Sequence, residues 1–238
     1  MESLKGKHVL ITGATGGIGS AVAKLLAASG AKVFLTGRNK EQLSAVAAAA
    51  AVDSDKTFIG DISSPADIAN LREAYFAQYP AIDILINAAG IGIIKPVEAL
   101  SAGDLQKSLQ INLVGPFLLV QAFLPAMKEA KKGLVINIPG VLGKTPMAGA
   151  SAYAASKYGL VGMMQSIREE VKRTEIRFTN IYLGGVDSAF WDTIDLRVQR
   201  DKMIRAEEAA RAIWFLCQQP ASGVVSEMVL QPFNHQAI

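Results

Sequence analysis

Thr12-Gly13-Ala14-Thr15-Gly16-Gly17-Ile18-Gly19 is the stretch that decides the fold. It follows an apolar run with the composition of a buried strand, and a helical pattern begins within it. Glycines allow a tight turn and a close approach of the backbone to a pyrophosphate, and a helix N-terminus offers N–H donors and a positive dipole. A glycine-rich turn alone is weak evidence, because many such turns only reverse the chain. The strand–turn–helix context makes this one a dinucleotide-binding signal.

Apolar runs alternate with helix-length segments along the rest of the chain. The runs are nearly continuous in Val, Ile and Leu, which is typical of strands covered on both faces. We predict strands at residues 7–12, 31–36, 56–60, 82–87, 133–138, 176–182 and 224–230, and helices at 16–29, 40–51, 65–78, 102–130, 152–173 and 206–218. Ser64 with Pro65, Ser101 with Asp104, and Gly30 supply start and stop signals. This alternation predicts one α/β domain over residues 1–238, a Rossmann-like doubly wound parallel sheet of about seven strands with helices on both faces.

The composition excludes several classes of function. Half of the 238 residues are hydrophobic, 19% are charged and the net charge is +3, which predicts a packed core and no nucleic-acid partner. The single cysteine, Cys217, excludes an internal disulfide and fits a cytoplasmic location. With only His8 and His235 beside it, the sequence offers too few zinc ligands, and we expect no metal. An uncharged stretch at 108–127 contains polar residues and prolines, so we expect a buried helix and no membrane partner.

The end of the second predicted strand indicates which dinucleotide is bound. An NAD site normally has an acidic residue there, which accepts a hydrogen bond from the ribose 2′-hydroxyl. This chain has Thr36-Gly37-Arg38-Asn39, with no acidic residue before Glu41. An arginine suits a 2′-phosphate, so Arg38 favours NADP over NAD. The alternative is an ordinary solvated loop arginine.

Tyr153 and Lys157 stand four residues apart near the start of a predicted helix, and therefore on one face of it. A phenol with an ordinary pKa of about 10 is a poor acid–base group at neutral pH, and we expect the ammonium to lower that pKa. The pair can then give a proton to a carbonyl oxygen, or take one from an alcohol, as hydride moves. The spacing alone is common on helices, and its place downstream of a dinucleotide turn is what indicates catalysis.

Together these motifs resemble the short-chain dehydrogenase/reductase family over essentially the whole chain. The matching positions are residues 12–19, Asp61, Asn87-Ala88-Ala89-Gly90, Asn112, Tyr153, Lys157 and Gly185-Val186-Asp187-Ser188. The resemblance implies an NADP(H)-dependent carbonyl reductase or alcohol dehydrogenase acting on a small molecule, with Tyr153, Lys157 and Asn112 as catalytic residues. It also implies a homodimer or homotetramer, formed through the helices at 102–130 and 152–173. The cofactor-binding residues that it implies are Gly13, Thr15, Gly16, Gly17, Ile18, Gly19, Arg38, Asn39, Asp61, Ile62, Asn87, Ala88, Ala89, Gly90, Tyr153, Lys157, Val186 and Ser188.

Asn112 also has a physical interpretation of its own. Pro116, four residues later, has no N–H, so the Asn112 carbonyl loses its usual helical partner and the helix is expected to kink. A freed carbonyl can hold a water in contact with Lys157, which matches the proton relay that the family assigns to its asparagine. A merely structural kink is the alternative.

The chain departs from the family where a serine usually hydrogen-bonds the substrate oxygen, because that position is Gly140. Losing one such donor typically costs about 2.7–4 kcal/mol of transition-state stabilisation. Three interpretations stay open: another donor substitutes, the activity is weak, or the protein binds the cofactor without catalysis. The candidate donors are the N–H groups of Gly140 and Val141 and the side chains of Thr145 and Ser151.

We expect Gly140→Ser to raise kcat/KM if the missing hydroxyl limits the rate. We also expect Gly140 to contact the substrate, together with Phe190 and Trp191 from a lid over residues 188–205. The apolar members of that lid indicate a hydrophobic or aromatic substrate, although packing of the lid against the domain explains them equally well.

Overall fold

A computed structural model describes residues 1–220 and 222–234. The strands are β1 His8–Thr12, β2 Lys32–Gly37, β3 Thr57–Ile59, β4 Ile84–Asn87, β5 Lys132–Asn137, β6 Glu175–Leu183, β7 Val186–Asp187, β8 Ile204–Arg205 and β9 Glu227–Leu230. The α-helices are α1 Gly17–Ala28, α2 Lys40–Ala49, α3 Pro65–Gln78, α4 Ala102–Leu109, α5 Gly115–Ala130, α6 Ser151–Glu170 and α7 Ala206–Leu216.

The main sheet has seven parallel strands in the order β3-β2-β1-β4-β5-β6-β9. Its core lies on both faces: Val9 and Ile11 of β1 pack with α1, α2 and α7, while Leu10 packs with α3, α5 and α6. The predicted Rossmann-like fold is therefore confirmed. The chain reverses its direction of travel across the sheet between β1 and β4, which opens a crevice at the carboxyl ends of the strands.

The predicted helix boundaries rest on local hydrogen bonds. The Ser64 hydroxyl accepts the Asp67 N–H at 3.2 Å, with Pro65 in the first turn of α3. Ser101 and Asp104 form a capping box at the start of α4. Gly30, past the end of α1, has a φ of +82°, the left-handed conformation that glycine adopts without a steric penalty. All three signals are confirmed.

The long helix predicted at 102–130 is interrupted rather than simply kinked. A π-helical turn, Gln110–Val114, separates α4 from α5, and the Gly115 N–H donates to the Gln110 carbonyl. Pro116 lies in the first turn of α5, where its missing N–H costs least. The segment Ala102–Ala130 is long and apolar enough to cross a membrane by length and composition, yet here it packs against α3, α6 and β5.

A second, two-stranded sheet was not expected from the sequence. β7 pairs in parallel with β8, with Val186 opposite Ile204 and Asp187 opposite Arg205. This pairing ties the two ends of the predicted lid segment to each other, beside the carboxyl end of β6.

Candidate active site

The glycine turn between β1 and α1 is built so closely that side chains do not fit. Gly13 has a φ of +65°, and a Cβ there would lie 2.5 Å from the Ala89 nitrogen. A Cβ on Gly19 would overlap the Gly13 carbonyl oxygen. Gly16 precedes the first turn of α1, and no side chain caps that helix. The first N–H groups of α1 are therefore left for an external acceptor, as a pyrophosphate site requires.

Two cavities open on this turn. The larger, of about 320 Å³, also reaches the carboxyl ends of β5 and β6 and the start of α6. It is lined by Thr15, Gly16, Gly17, Ile18, Gly19, Ala88, Gly90, Ile94, Ile138, Gly140, Val141, Leu142, Tyr153, Leu183, Gly184, Val186, Ser188, Ala189, Phe190 and Trp191. We call it the catalytic cavity. A larger cavity, of about 660 Å³, lies at the opposite edge of the sheet, and none of the predicted site residues lines it.

The second cavity on the glycine turn, of about 160 Å³, contains Arg38, Asp61, Ile62 and Ala89. Burial alone raises the pKa of the Asp61 carboxyl, but hydrogen bonds from the Ser63 N–H and hydroxyl, aided by the Arg38 charge, hold that pKa below its ordinary value. Arg38 is exposed and forms no salt bridge with a described residue. Asn39 lies outside this cavity, since its side chain caps α2 by accepting the Gln42 N–H at 2.8 Å.

Tyr153 and Lys157 lie on one face of α6, at the catalytic cavity. The Lys157 Nζ is 5.6 Å from the centre of the Tyr153 ring and donates to the Ile138 carbonyl at 3.0 Å. Burial lowers the pKa of Lys157 to about 8. Burial also raises the pKa of Tyr153 above its ordinary 10.0. The expected lowering of the Tyr153 pKa is therefore wrong in direction, because the expectation counted the ammonium and omitted the desolvation of the phenol.

Asn112, in the π-helical turn, is fully buried and holds the chain after β4. Its Oδ1 accepts the Ile91 N–H at 2.9 Å, and its Nδ2 donates to the Ile91 carbonyl at 2.9 Å and to the Ser156 hydroxyl at 3.1 Å. A Cβ on Gly90 would lie 3.1 Å from this Oδ1 and 3.4 Å from the Lys157 Nζ. Asn112 and Lys157 thus approach the same stretch of backbone from behind the cavity wall.

Gly140 lies beside the Tyr153 hydroxyl, in a conformation that a serine does not readily adopt. Its φ is +69° and its ψ 172°, and a Cβ there would lie 3.9 Å from the Tyr153 oxygen and 3.4 Å from the Leu183 carbonyl oxygen. Of the candidate donors, Gly140 and Val141 line the cavity, whereas Thr145 and Ser151 are exposed and do not. Neither the Gly140 nor the Val141 N–H donates a hydrogen bond to a described residue.

A row of buried asparagines beneath the site was not predicted from the sequence. Asn87 and Asn137 end β4 and β5, and Asn180 is next to Asn137 in register within β6. The Asn87 Nδ2 donates to the Asn137 Oδ1 at 2.8 Å, and the Asn137 Nδ2 to the Asn180 Oδ1 at 3.4 Å. The Asn87 Oδ1 has no partner among the described residues. Asn87 thus lies beneath the cavities rather than in their walls, and the available signal was a single asparagine in each of three consecutive apolar runs.

The predicted lid is fixed to the cavity by specific contacts. The Phe190 ring centre is 6.0 Å from that of Tyr153 and 5.3 Å from that of Trp191. The Trp191 Nε1 donates to the Val186 carbonyl at 2.9 Å. Arg200, nearer the end of the segment, donates from Nη2 to the Ser188 carbonyl at 2.9 Å and also pairs with Asp192. The lid therefore forms one wall of the catalytic cavity.

Known proteins resemble this chain in sequence and in fold. The sequence profile described as short chain dehydrogenase matches residues 7–198. An uncharacterised oxidoreductase of Staphylococcus aureus strain MW2 is 31% identical over 232 residues, 98% of this chain and 100% of that protein. A metagenomic short-chain oxidoreductase in complex with NADP has a TM-score of 0.83 and 32% identity, covering 97% of this chain and 99% of its own. An alcohol dehydrogenase of Thermococcus sibiricus, complexed with 5-hydroxy-NADP, shares the fold at a TM-score of 0.86 and 23% identity, with 98% of each chain covered.

Proposed function

The chain belongs to the short-chain dehydrogenase family, and from this premise we propose that it is an NADP(H)-dependent oxidoreductase that interconverts a small carbonyl compound and its alcohol. One observation carries the proposal: the Tyr153 hydroxyl opens into the same cavity as the glycine turn, with the Lys157 ammonium behind it. The glycine turn would hold the phosphates of a dinucleotide, and Tyr153 lies in the same cavity, where it could act on a substrate beside the nicotinamide.

The residues present fit NADP(H), which supplies or accepts the hydride when bound. The turn can be this tight only because Gly13 and Gly19 have no Cβ, and the uncapped first N–H groups of α1 would hold a pyrophosphate. Arg38 offers an unpaired guanidinium at the rim of the second cavity, where a 2′-phosphate requires one. Val186 and Ser188 line the catalytic cavity opposite the turn, where a nicotinamide carboxamide needs polar contacts.

Tyr153 is proposed to be the proton donor in the direction of reduction. Burial keeps its hydroxyl protonated at neutral pH, so the proton is available to the carbonyl oxygen that accepts it. The phenolate left behind is stabilised by the Lys157 ammonium, which with a pKa of about 8 is mostly charged at pH 7. In the direction of oxidation the same phenolate removes the proton of the alcohol.

The substrate oxygen still needs a second donor, because Gly140 has no hydroxyl. We assign this role to the backbone N–H groups of Gly140 and Val141, which line the cavity and have no described acceptor of their own. A positive φ at Gly140 turns the backbone sharply at this point. Backbone N–H groups stabilise developing negative charge in many acyl-transfer sites, and they serve a carbonyl oxygen by the same electrostatics.

The test compares cofactor binding with turnover in the same protein. We expect NADPH to bind to the purified protein, measured by its fluorescence, and to be consumed on a panel of small aldehydes and ketones. Tyr153→Phe removes only the hydroxyl, so it is expected to retain NADPH binding and to lose turnover by about 100-fold or more. Binding without turnover on the whole panel would contradict the proposal.

A second candidate is favoured by one observation, the glycine in place of the serine. A protein that binds NADP(H) without chemistry, as a sensor or partner, has no need of a polarising donor beside Tyr153. The same experiment separates the two candidates, because the second predicts that Tyr153→Phe changes nothing measurable.

We also propose that the protein works in the cytoplasm as a dimer or tetramer. A groove of about 270 Å³ between α5 and α6 is lined partly by Phe117, Leu124 and Ile167, and Phe117 is 39% exposed. Apolar surface of this kind at two adjacent helices is typical of contacts between copies of one chain.

A further inference from the structure

The catalytic cavity contains no charge, which limits the substrates it can hold. Among the described residues that line it there is no aspartate, glutamate, lysine, arginine or histidine. Its polar side chains are Thr15, Tyr153, Ser188 and Trp191. Thr15 belongs to the glycine turn, and the Trp191 Nε1 is already donated to the Val186 carbonyl. Beyond the groups assigned to the cofactor and to proton transfer, the substrate therefore meets apolar surface.

Three cations on segments that border this cavity have partners of their own. Lys157 lies behind the wall, 4% exposed, and donates to the Ile138 carbonyl. Arg200 is held by the Ser188 carbonyl and by Asp192 on the outer side of the lid. Lys144, on the loop after Gly140, pairs with Glu227. A carboxylate or phosphate on the substrate would be taken out of water with no cation to pair with, and that desolvation is costly.

Aromatic side chains line the part of the catalytic cavity next to Tyr153, where the rest of the substrate is expected to lie. Phe190 is inclined at 57° to the Tyr153 ring and nearly perpendicular to Trp191. Its ring also packs closely on Gly92, where a Cβ would lie 2.4 Å from the ring. Ile94, Val141 and Leu142 complete the apolar lining. Flat rings prefer offset or edge-on contacts with such a surface.

We infer that the substrate is an uncharged aryl aldehyde or aryl ketone, or the corresponding alcohol, with its ring against Phe190 and with no anionic group. This inference rests on the proposed function for the placement of the reacting oxygen at Tyr153. It goes beyond it by naming the recognised class: a neutral aromatic carbonyl is admitted, and the same ring bearing a carboxylate is rejected.

A matched pair of ligands tests the inference by binding, which does not depend on turnover. The protein saturated with NADP⁺ is titrated in a calorimeter with methyl 4-(hydroxymethyl)benzoate and with 4-(hydroxymethyl)benzoate. The ester is the larger molecule, so steric exclusion cannot explain a preference for it, and burial of its extra methyl group accounts for only about 4-fold. We expect the ester to bind at least about 100-fold more tightly, since an unpaired buried carboxylate loses its hydration. Equal or tighter binding of the carboxylate overturns the inference, and so does a failure of both ligands to bind.

Turnover of the matched aldehydes tests the proposed function separately. If the ester binds selectively but methyl 4-formylbenzoate is not reduced, the proposed reaction is contradicted and the inferred ligand class is still supported. If 4-formylbenzoate is reduced with the same kcat/KM as its methyl ester, the inferred ligand class is contradicted and the proposed reaction is supported.

The contact with Phe190 is tested by comparing an aryl with an alicyclic substrate. Phe190→Leu keeps an apolar side chain and removes the ring, so we expect kcat/KM to fall about 2- to 10-fold more for benzaldehyde than for cyclohexanecarbaldehyde. Leu196→Ala is the matched control, because Leu196 is on the same segment, 39% exposed and outside the cavity lining. An equal effect of Phe190→Leu on both aldehydes removes the ring contact from the inference.

Discussion

Substitution of Gly140 by serine is the most informative perturbation, because it has two opposing effects on catalysis. The added hydroxyl favours the reaction, and the added side chain strains the backbone. Restoring the family serine adds a hydroxyl beside the Tyr153 oxygen, where the ideal Cβ position is 3.9 Å away. It also forces a side chain onto a residue at φ +69° and ψ 172°, a region that costs roughly 1–3 kcal/mol outside glycine. A comparison of Gly140→Ser with the natural protein therefore does not test the hydroxyl alone, because the strain changes kcat/KM as well.

Comparison with Gly140→Ala isolates the hydroxyl, because both variants carry the same backbone strain. We expect both to unfold at a lower temperature, by roughly 2–12 °C for a chain of this size. We expect kcat/KM of Gly140→Ser to exceed that of Gly140→Ala by about 10- to 100-fold, part of what one well-placed donor contributes. Gly6→Ala is the strain control: its φ is +76° and a Cβ meets nothing within 4 Å, so it should lose stability and keep activity.

Equal kcat/KM values for the folded serine and alanine variants would refute the prediction that a hydroxyl at position 140 adds to the polarisation that the backbone N–H groups supply. That result would mean that the backbone N–H groups already polarise the substrate fully, or that the substrate oxygen does not lie beside Gly140. An unchanged melting temperature in Gly140→Ala would refute the strain.

Three further predictions concern cofactor choice, pH and assembly. Arg38→Gln should weaken NADPH binding by about 10- to 100-fold and leave NADH binding nearly unchanged. The control Lys40→Gln removes an exposed neighbouring cation outside the cavity and should alter the binding of neither dinucleotide. An equal loss of affinity for both dinucleotides in Arg38→Gln would place the 2′-phosphate elsewhere. In the direction of reduction, kcat/KM should fall about tenfold per pH unit above a pKa of about 8, because deprotonation of Lys157 removes the charge that stabilises the phenolate; a flat profile between about pH 6 and 10 would exclude that role. Phe117→Asp should shift the mass measured by light scattering to that of a monomer, because it places a charge in the apolar groove between α5 and α6; an unchanged mass would place the interface on another surface.

Much of the fold was predictable because a strand covered by helices on both faces must be apolar throughout. The seven apolar runs accordingly became the seven strands of the main sheet. The pair β7 and β8 was not predictable, since each is two residues long and their pairing joins Val186 to Ile204 across the lid. The π-helical turn was only partly predictable: Pro116 marks the place of the irregularity, but not whether the helix bends or gains a residue.

The convergence of the glycine turn and Tyr153 followed from topology, because the carboxyl ends of parallel strands share one edge. Two properties of the site depend on three-dimensional surroundings that a sequence pattern does not contain. The pKa of Tyr153 is set by burial under the lid, and the asparagine row by the register between β4, β5 and β6. The positive φ of Gly140 was hidden because a glycine is compatible with any conformation.

Coupling between Tyr153 and Lys157 is the most direct test of the account. The turnover of Tyr153→Phe, Lys157→Met and the double variant is measured at saturating NADPH. If the two side chains act as one proton-donating unit, each single change lowers kcat by about 100-fold or more, and the double variant is no slower than Tyr153→Phe. Losses that multiply in the double variant would show that the two groups act independently and would contradict the mechanism.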